Sequence, residues 1–411
     1  MRPMMHVVDL PDISLREWRR QMKWPAERIA KSSPKSFGMY EKALQYPLEK
    51  DLIHLELGRP VHDTPEHIKA AVVAALHEGK VHYSDIRGEP PFRAALAAKL
   101  AQFNGIETAA DDIIVTNGLT HASYLAFMAA LDPGDEVILL DPCYPQHLNK
   151  IELAGAVPVL APLDRAANFA IREELIERHV SARTRMIVLV NPANPTGRVY
   201  TREELEALAR VAVRHDLLVV SDEVYEQVIF DDRAHISIAT LPGMAHRTIS
   251  MFAFTKAYAM DGWRLGYLAA SHEMIPAMLK IAMNDVTHVN TFIQYGGLAA
   301  VTGDPAIVAH MSADDAAKRD LIVGRLRQMR GVRCAEPEGT IYAFPNIEGT
   351  GLDSTTLAHR LLEEASVVVE DGAFYGSVGR GHLRVCFGSQ TTERLEEAAE
   401  RMTRFFARLA P

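Results

Sequence analysis

Short apolar runs set the strongest limit on what this chain can become. Asp112-Ile113-Ile114-Val115-Thr116, Val137-Ile138-Leu139-Leu140, Arg185-Met186-Ile187-Val188-Leu189-Val190, Leu217-Leu218-Val219-Val220-Ser221 and the run 248–254 are each a few residues long. The 185–190 run is apolar at successive rather than alternate positions. A strand of that kind must be covered on both faces, as in a parallel sheet. Helical stretches lie between the runs, among them an apolar one near 122–131 and one opened by the capping box Thr201-Arg202-Glu203-Glu204. The pattern predicts an α/β fold with a mostly parallel central sheet flanked by helices.

The strand ends carry the chemistry, since ligands in open α/β sheets gather there. Asn117-Gly118-Leu119-Thr120 turns the first run into its helix, and a glycine turn at a helix start offers free N–H groups to a phosphate. Asp222-Glu223-Val224-Tyr225 closes the fourth run. An aspartate there also serves as a helix N-cap. The fifth run leads into Lys256, with Arg264 eight positions on. Low dielectric and a second cation lower a lysine's pKa, and the neutral amine is the form that attacks carbonyls. The alternative is a lysine snorkelling to the surface.

With 411 residues the chain has core enough for two or three domains, and 48% hydrophobic with 24% charged residues is an ordinary globular balance. A net charge of -9 argues against a nucleic-acid partner. Three scattered cysteines, Cys143, Cys334 and Cys386, give no disulfide framework and fit a reducing, cytoplasmic location. Neither a signal peptide nor a membrane-spanning run is read, and the 17 histidines form no H-E-x-x-H motif, so no metal is expected.

We read an N-terminal arm over 1–50, with Pro11, Pro25, Pro34 and Pro47 among short helices, a large domain over 51–305 and a small domain over 306–411. Thr64-Pro65 reads as N-cap and first turn of a helix. Residues 268–330 are helical in pattern, with a long helix near 305–330 and an interruption at Asp285-Val286-Thr287-His288-Val289-Asn290-Thr291. Beyond 331, strands at 341–344, 367–369 and 383–387 alternate with helices at 354–364 and 393–409, forming a smaller α/β domain completed by N-terminal residues.

Phe254-Thr255-Lys256-Ala257-Tyr258-Ala259-Met260-Asp261-Gly262-Trp263-Arg264-Leu265-Gly266-Tyr267 resembles the Schiff-base lysine segment of the class I/II aminotransferases, fold-type I enzymes dependent on pyridoxal 5'-phosphate (PLP). Asn191-Pro192-Ala193-Asn194-Pro195-Thr196-Gly197 matches the N-P-x-N-P-T-G run specific to that family, and the resemblance extends from about residue 52 to about residue 405. It implies that Lys256 binds the cofactor aldehyde, Arg264 with the Gly118-Leu119-Thr120 turn grips its phosphate, and Asp222 meets the ring nitrogen. It further implies that Asn194 and Tyr225 meet the ring oxygen, and that Tyr144 stacks on the ring. Arg384, in Gly379-Arg380-Gly381-His382-Leu383-Arg384-Val385-Cys386-Phe387, is then the fork for the substrate carboxylate, and Gly58, in Leu55-Glu56-Leu57-Gly58-Arg59-Pro60, brings backbone to it. Asn194 belongs to both the cofactor and the substrate side. Tyr83 would reach the phosphate in a partner subunit, which requires at least a homodimer. In relatives the 285–291 region often reaches the partner's site as well, with His288 and Asn290 as candidate contacts.

Taken alone, Gly58 is equally a turn glycine, a lone loop tyrosine such as Tyr83 is more often packing, and the alternatives are core packing for Tyr144 and a structural ion pair for Arg384. Three positions depart from the family pattern: Ala253 where a phosphate-binding serine is frequent, Asp261 where threonine is frequent, and Glu370-Asp371-Gly372 near the C-terminal loop.

The implied activity is amino-group transfer between an L-amino acid and a 2-oxo acid by a ping-pong route, with Lys256, Asp222 and Tyr225 as catalytic residues. The rival is a PLP-dependent lyase, decarboxylase or deaminase on the same fold. A ligand sensor fits poorly because no DNA-binding domain is read, and a dehydrogenase fits poorly because Gly376-Ser377-Val378-Gly379 is too loose for a dinucleotide fingerprint.

Overall fold

The computed structural model describes residues 24–32, 38–47 and 49–409. Most of the arm expected over 1–50, Pro11 and Pro34 included, lies outside them. Its described part carries two short helices, Glu27–Lys31 and Met39–Ala43.

The strands in chain order are β1 (Ile53–His54), β2 (Ile113–Thr116), β3 (Glu136–Asp141), β4 (Val157–Pro162), β5 (Thr184–Val190), β6 (Leu218–Asp222), β7 (Thr248–Ala253), β8 (Gly266–Ala269), β9 (Tyr342–Ala343), β10 (Val367–Val368), β11 (Glu370–Asp371) and β12 (Leu383–Cys386). Seven form one sheet in the order β2-β8-β7-β6-β5-β3-β4. The pairs among β4, β3, β5, β6 and β7 are parallel, and β8 runs antiparallel to both β7 and β2. The carboxyl ends of β2, β3, β5, β6 and β7 therefore share one edge with the start of β8.

Consecutive strand residues feed opposite cores, which is why these runs are apolar throughout. Ile138, Ile187, Leu189 and Val219 pack on one side with Leu205, Leu208 and Val211 of the helix Arg202–Arg214. Val137, Met186, Val188 and Val220 pack on the other with Leu125 and Phe127 of the helix Gly118–Ala130 and Met278 of the helix Ile275–Ala282. The Thr201 capping box is present: the Glu204 N–H donates to Thr201 Oγ1 and the Thr201 N–H to Glu204 Oε2.

Two further sheets stand beyond this edge. β1 pairs in parallel with β10, and β11, β12 and β9 form an antiparallel sheet. Their shared core joins Ile53 and Leu55 to Val367, Leu383 and Val385, to Phe405 of the helix Thr392–Arg408, and to Tyr225 and Val228 from the segment after β6. That last contact presses the loop bearing Tyr225 against β9.

Several expectations need correction. Residues 268–269 belong to β8, not to a helical stretch; a four-residue apolar run is too short for periodicity to separate the two. β4 was not expected at all: it carries Pro158 and Pro162, which a sheet tolerates on an edge strand, and an edge is where β4 lies. The helix expected near 122–131 starts four residues earlier, at Gly118. Thr64 is no N-cap. Pro65 takes that position before the helix Glu66–His77, and the Thr64 hydroxyl donates instead to the Ala259 carbonyl at 2.6 Å. The helix expected over 354–364 is α-helical over Ser354–Arg360 and widens to a π-turn over Leu361–Ala365.

Candidate active site

A cavity of about 430 Å³ opens where the carboxyl ends of the large sheet meet β11 and β12. Its size suits a cofactor-scale ligand. From the ends of β2, β5, β6 and β7 come Leu119 and Thr120, Asn194, Asp222 with Tyr225, and Lys256; Arg264 stands just before β8. Tyr144, from the segment after β3, joins them, and Gly58 and Arg384 line the cavity from the facing side. Residues up to 328 positions apart in sequence thus share one space.

Gly118 stands behind this lining. Its φ of +73° favours glycine, and a Cβ there would lie 2.7 Å from Arg264 Nη2. The bare backbone lets the guanidinium settle against the helix start, so N–H groups and a cation converge. Arg264 Nη1 donates to the Asp261 carbonyl at 3.0 Å, which makes Asp261 part of this arrangement through its backbone. Thr255 lines the cavity and supplies a hydroxyl on the segment where Ala253 has none.

Lys256 Nζ donates to the Gly58 carbonyl. Its pKa is lowered to about 8, and burial is the main cause. Arg384 and Arg264 push the same way but weakly, so low dielectric rather than the neighbouring cation does most of what the sequence suggested.

Asp222 is buried, and His147 Nε2 lies 2.9 Å from its Oδ2, with Val224 N–H on Oδ1 at 3.2 Å. Burial holds the imidazole below its usual pKa and so favours the neutral ring, with Asp222 opposing. A carboxylate only accepts, so the proton on Nε2 faces Asp222. The Tyr225 hydroxyl is 2.7 Å from that of Tyr342, and burial raises the pKa of both phenols. Tyr144 meets His147 edge-on, with ring centroids 5.4 Å apart.

Arg384 is buried on β12. Nη1 donates to Asn194 Oδ1 at 3.3 Å and Nη2 to the Glu56 carbonyl, while Nε has no protein partner. Its guanidinium carbon lies 4.3 Å above the Tyr342 ring and 5.0 Å from that of Tyr375. Stacking on two rings fixes the plane of the fork. Gly58 explains its own identity: a Cβ there would lie 2.0 Å from the Tyr342 hydroxyl.

Besides Gly118 behind the lining, the expected Tyr83 and the candidate contacts His288 and Asn290 are not among the residues that line the cavity; Tyr83 lies on the surface. It is 88% exposed and stacks on His288 with centroids 4.9 Å apart. His147, Tyr342, Tyr375, Glu56 and Glu370 were missed as site residues. The sequence shows Tyr342 only as part of the short strand at 341–344, and a single histidine in Pro145-Gln146-His147 carries no local signature.

The aminotransferase class I and II family model matches residues 50–402. The chain belongs to the class I and II aminotransferases. This is a PLP-dependent family of transferases. The chain is 38% identical to an aspartate aminotransferase of Pyrococcus abyssi over 86% of this chain and 91% of that one. It is 37% identical to an aromatic-amino-acid aminotransferase of Thermococcus litoralis over 85% and 90%. Among solved structures, the Thermus thermophilus aspartate aminotransferase with maleate superposes with a TM-score of 0.87 at 35% identity, covering 93% of this chain and all of that one. These neighbours share the family's fold-type I architecture, and the mixed central sheet flanked by helices described above is consistent with it.

Proposed function

We propose that this aminotransferase exchanges the amino group and α-hydrogen of an L-amino acid for the carbonyl oxygen of a 2-oxo acid, in two half-reactions of a ping-pong cycle. The observation that carries the reading is the joint placing of Lys256, Asp222 and Arg384 on one cavity. They are an amine, a buried carboxylate and a carboxylate fork.

The donor set suits PLP group by group. The Gly118–Thr120 helix start and Arg264 fit a phosphate, Asp222 a protonated ring nitrogen, and Asn194 and Tyr225 a ring oxygen. Tyr144 fits the ring face, and Lys256 the aldehyde. When bound, PLP supplies an aldehyde that joins amines and a ring that accepts the electron pair left by a bond broken at Cα.

The side chains do the rest. Asp222, oriented by His147, holds a proton opposite it. Arg384, with Gly58 and Asn194 beside it, fixes the substrate carboxylate and so orients Cα. The Lys256 amine, kept neutral in part by burial, takes the α-proton and returns it. Holding the carboxylate in this way favours loss of the α-proton over loss of the carboxylate, which speaks against a decarboxylase; a lyase or deaminase also begins with that proton loss and is separated by product analysis.

We further read the enzyme as a cytoplasmic homodimer divided into the arm 1–50, a large domain 51–305 and a small domain 306–411. The exposed Tyr83 beside His288 supports a site shared with a second copy. Cys143, Cys334 and Cys386 are buried and none is in a disulfide, which supports a reducing compartment. Among the described residues no helix is long and apolar enough to cross a membrane. The test is product analysis of the PLP-loaded protein with an amino acid, with and without a 2-oxo acid. Turnover that requires the oxo acid supports the reading, and sustained turnover without it contradicts it.

A further inference from the structure

The charges around the cavity are unequally committed. Among the described residues its cations are Lys256, Arg264 and Arg384, and each already has work in the reading above. Its carboxylates are Glu56, Asp222, Asp261 and Glu370. Asp222 is engaged by His147. Glu56 and Glu370 are both buried, and neither has a part in the chemistry.

Their positions are specific. Glu370 on β11 stands directly opposite Arg384 on β12, so the two side chains share a face of that sheet. Its carboxylate accepts the Met39 N–H at 3.2 Å and the Asp371 N–H at 3.1 Å. Glu56 lies against the same arginine, which takes its carbonyl. Its Oε1 is 2.8 Å from His54 Nδ1, and its buried Oε2 has no partner. The fork for the substrate carboxylate is thus flanked by two buried acids, with no spare lysine or arginine in the lining. The segment 285–291, read above as reaching a partner's site, contains neither residue type.

We propose that the cleft takes amino acids with a single carboxylate and discriminates against those, such as aspartate and glutamate, whose side chain carries a second one. A side-chain carboxylate entering the cleft meets two buried acid groups and, among the described lining residues, no uncommitted lysine or arginine, an arrangement that is costly when desolvated. An apolar side chain, or one bearing hydrogen-bond donors, meets no such penalty. The same holds for acceptors, since both half-reactions use one site: pyruvate is preferred to 2-oxoglutarate. This inference rests on the aminotransferase reading, and it differs from the substrate in the names of several relatives.

The experiment is a half-reaction on PLP-loaded enzyme, following the cofactor absorbance after mixing with each of leucine, methionine, phenylalanine, arginine, aspartate and glutamate. The expected result is an efficiency for the best mono-carboxylate donor at least about tenfold above either dicarboxylate. Aspartate or glutamate as the best donor overturns the inference and leaves the aminotransferase reading intact. A cofactor that binds but responds to no amino acid overturns both. In Glu370→Gln and Glu56→Gln the glutamate-to-leucine efficiency ratio should rise, by about tenfold in the double variant. An unchanged ratio in folded, PLP-binding variants also overturns it.

Discussion

His147 Nε2 lies 2.9 Å from Asp222 Oδ2, and both side chains are buried. The neutral imidazole presents its N–H to the carboxylate and fixes its direction. A hydrogen bond to a charged group is worth about 1.5–3 kcal/mol. His147→Ala is therefore expected to lower kcat roughly tenfold to a hundredfold. It should also shift the pH dependence of the bound cofactor's absorbance, while leaving the substrate KM less affected. Steady-state kinetics with a spectroscopic pH titration check this. Loss of thermal stability alone, with an unchanged spectrum, would show the pair to be merely structural.

A second prediction concerns Gly58 and Tyr342. A Cβ at position 58 would lie 2.0 Å from the Tyr342 hydroxyl and 3.0 Å from its ring carbon Cζ. Gly58→Ala should therefore displace Tyr342 and disturb both Tyr225 and Arg384, with a loss of kcat/KM of about a hundredfold or more. Removing the hydroxyl relieves the worst contact. Gly58→Ala combined with Tyr342→Phe should thus recover part of the loss, although Tyr342→Phe alone is mildly harmful through the lost 2.7 Å bond to Tyr225. A strictly additive double variant would contradict the packing argument.

Glu370 links the site to stability. Burial raises its pKa to about 7 from 4.5, with Arg384 opposing. The folded protein then holds this proton more tightly than the unfolded chain does. The resulting stability is complete below pH 4.5 and is lost as pH rises through about 7, a contribution of about 3–4 kcal/mol at most. Denaturant unfolding of wild type and Glu370→Gln at pH 5 and pH 8 measures it. The wild type should lose more stability than the variant over that interval, and equal losses would rule the assignment out.

Much of this site was legible because its signals are local. The Asn191–Gly197 turn, the Thr201 capping box, the glycine turn before Leu119 and the lysine after β7 each declare themselves within a few residues. What escaped depends on register and on distant partners. His147 meets Asp222 across 75 positions and Tyr342 meets Tyr225 across 117, so neither pair leaves a trace in either segment. Glu370 was visible as a departure, but only the pairing of β11 with β12 reveals Arg384 opposite it. Thr64 looked like a cap because the Thr-Pro signal is local, and a tertiary bond to Ala259 displaced that role.

Lys256 offers a pH test of its own. With a pKa lowered to about 8, roughly a tenth of the amine is neutral at pH 7, against roughly one in three thousand for an ordinary lysine. The rate at which cofactor-free protein captures PLP should climb with pH and level off above about 8. A rate still climbing steeply beyond pH 9.5 would place the amine in a wetter setting than the one described.

The most direct measurement is chemical trapping. PLP-loaded protein is reduced with borohydride, digested, and its peptides are read by mass spectrometry. The pyridoxyl mass is expected on Lys256, with none incorporated and no visible cofactor absorbance in Lys256→Ala. Label on another lysine, or undiminished incorporation in that variant, would contradict the account.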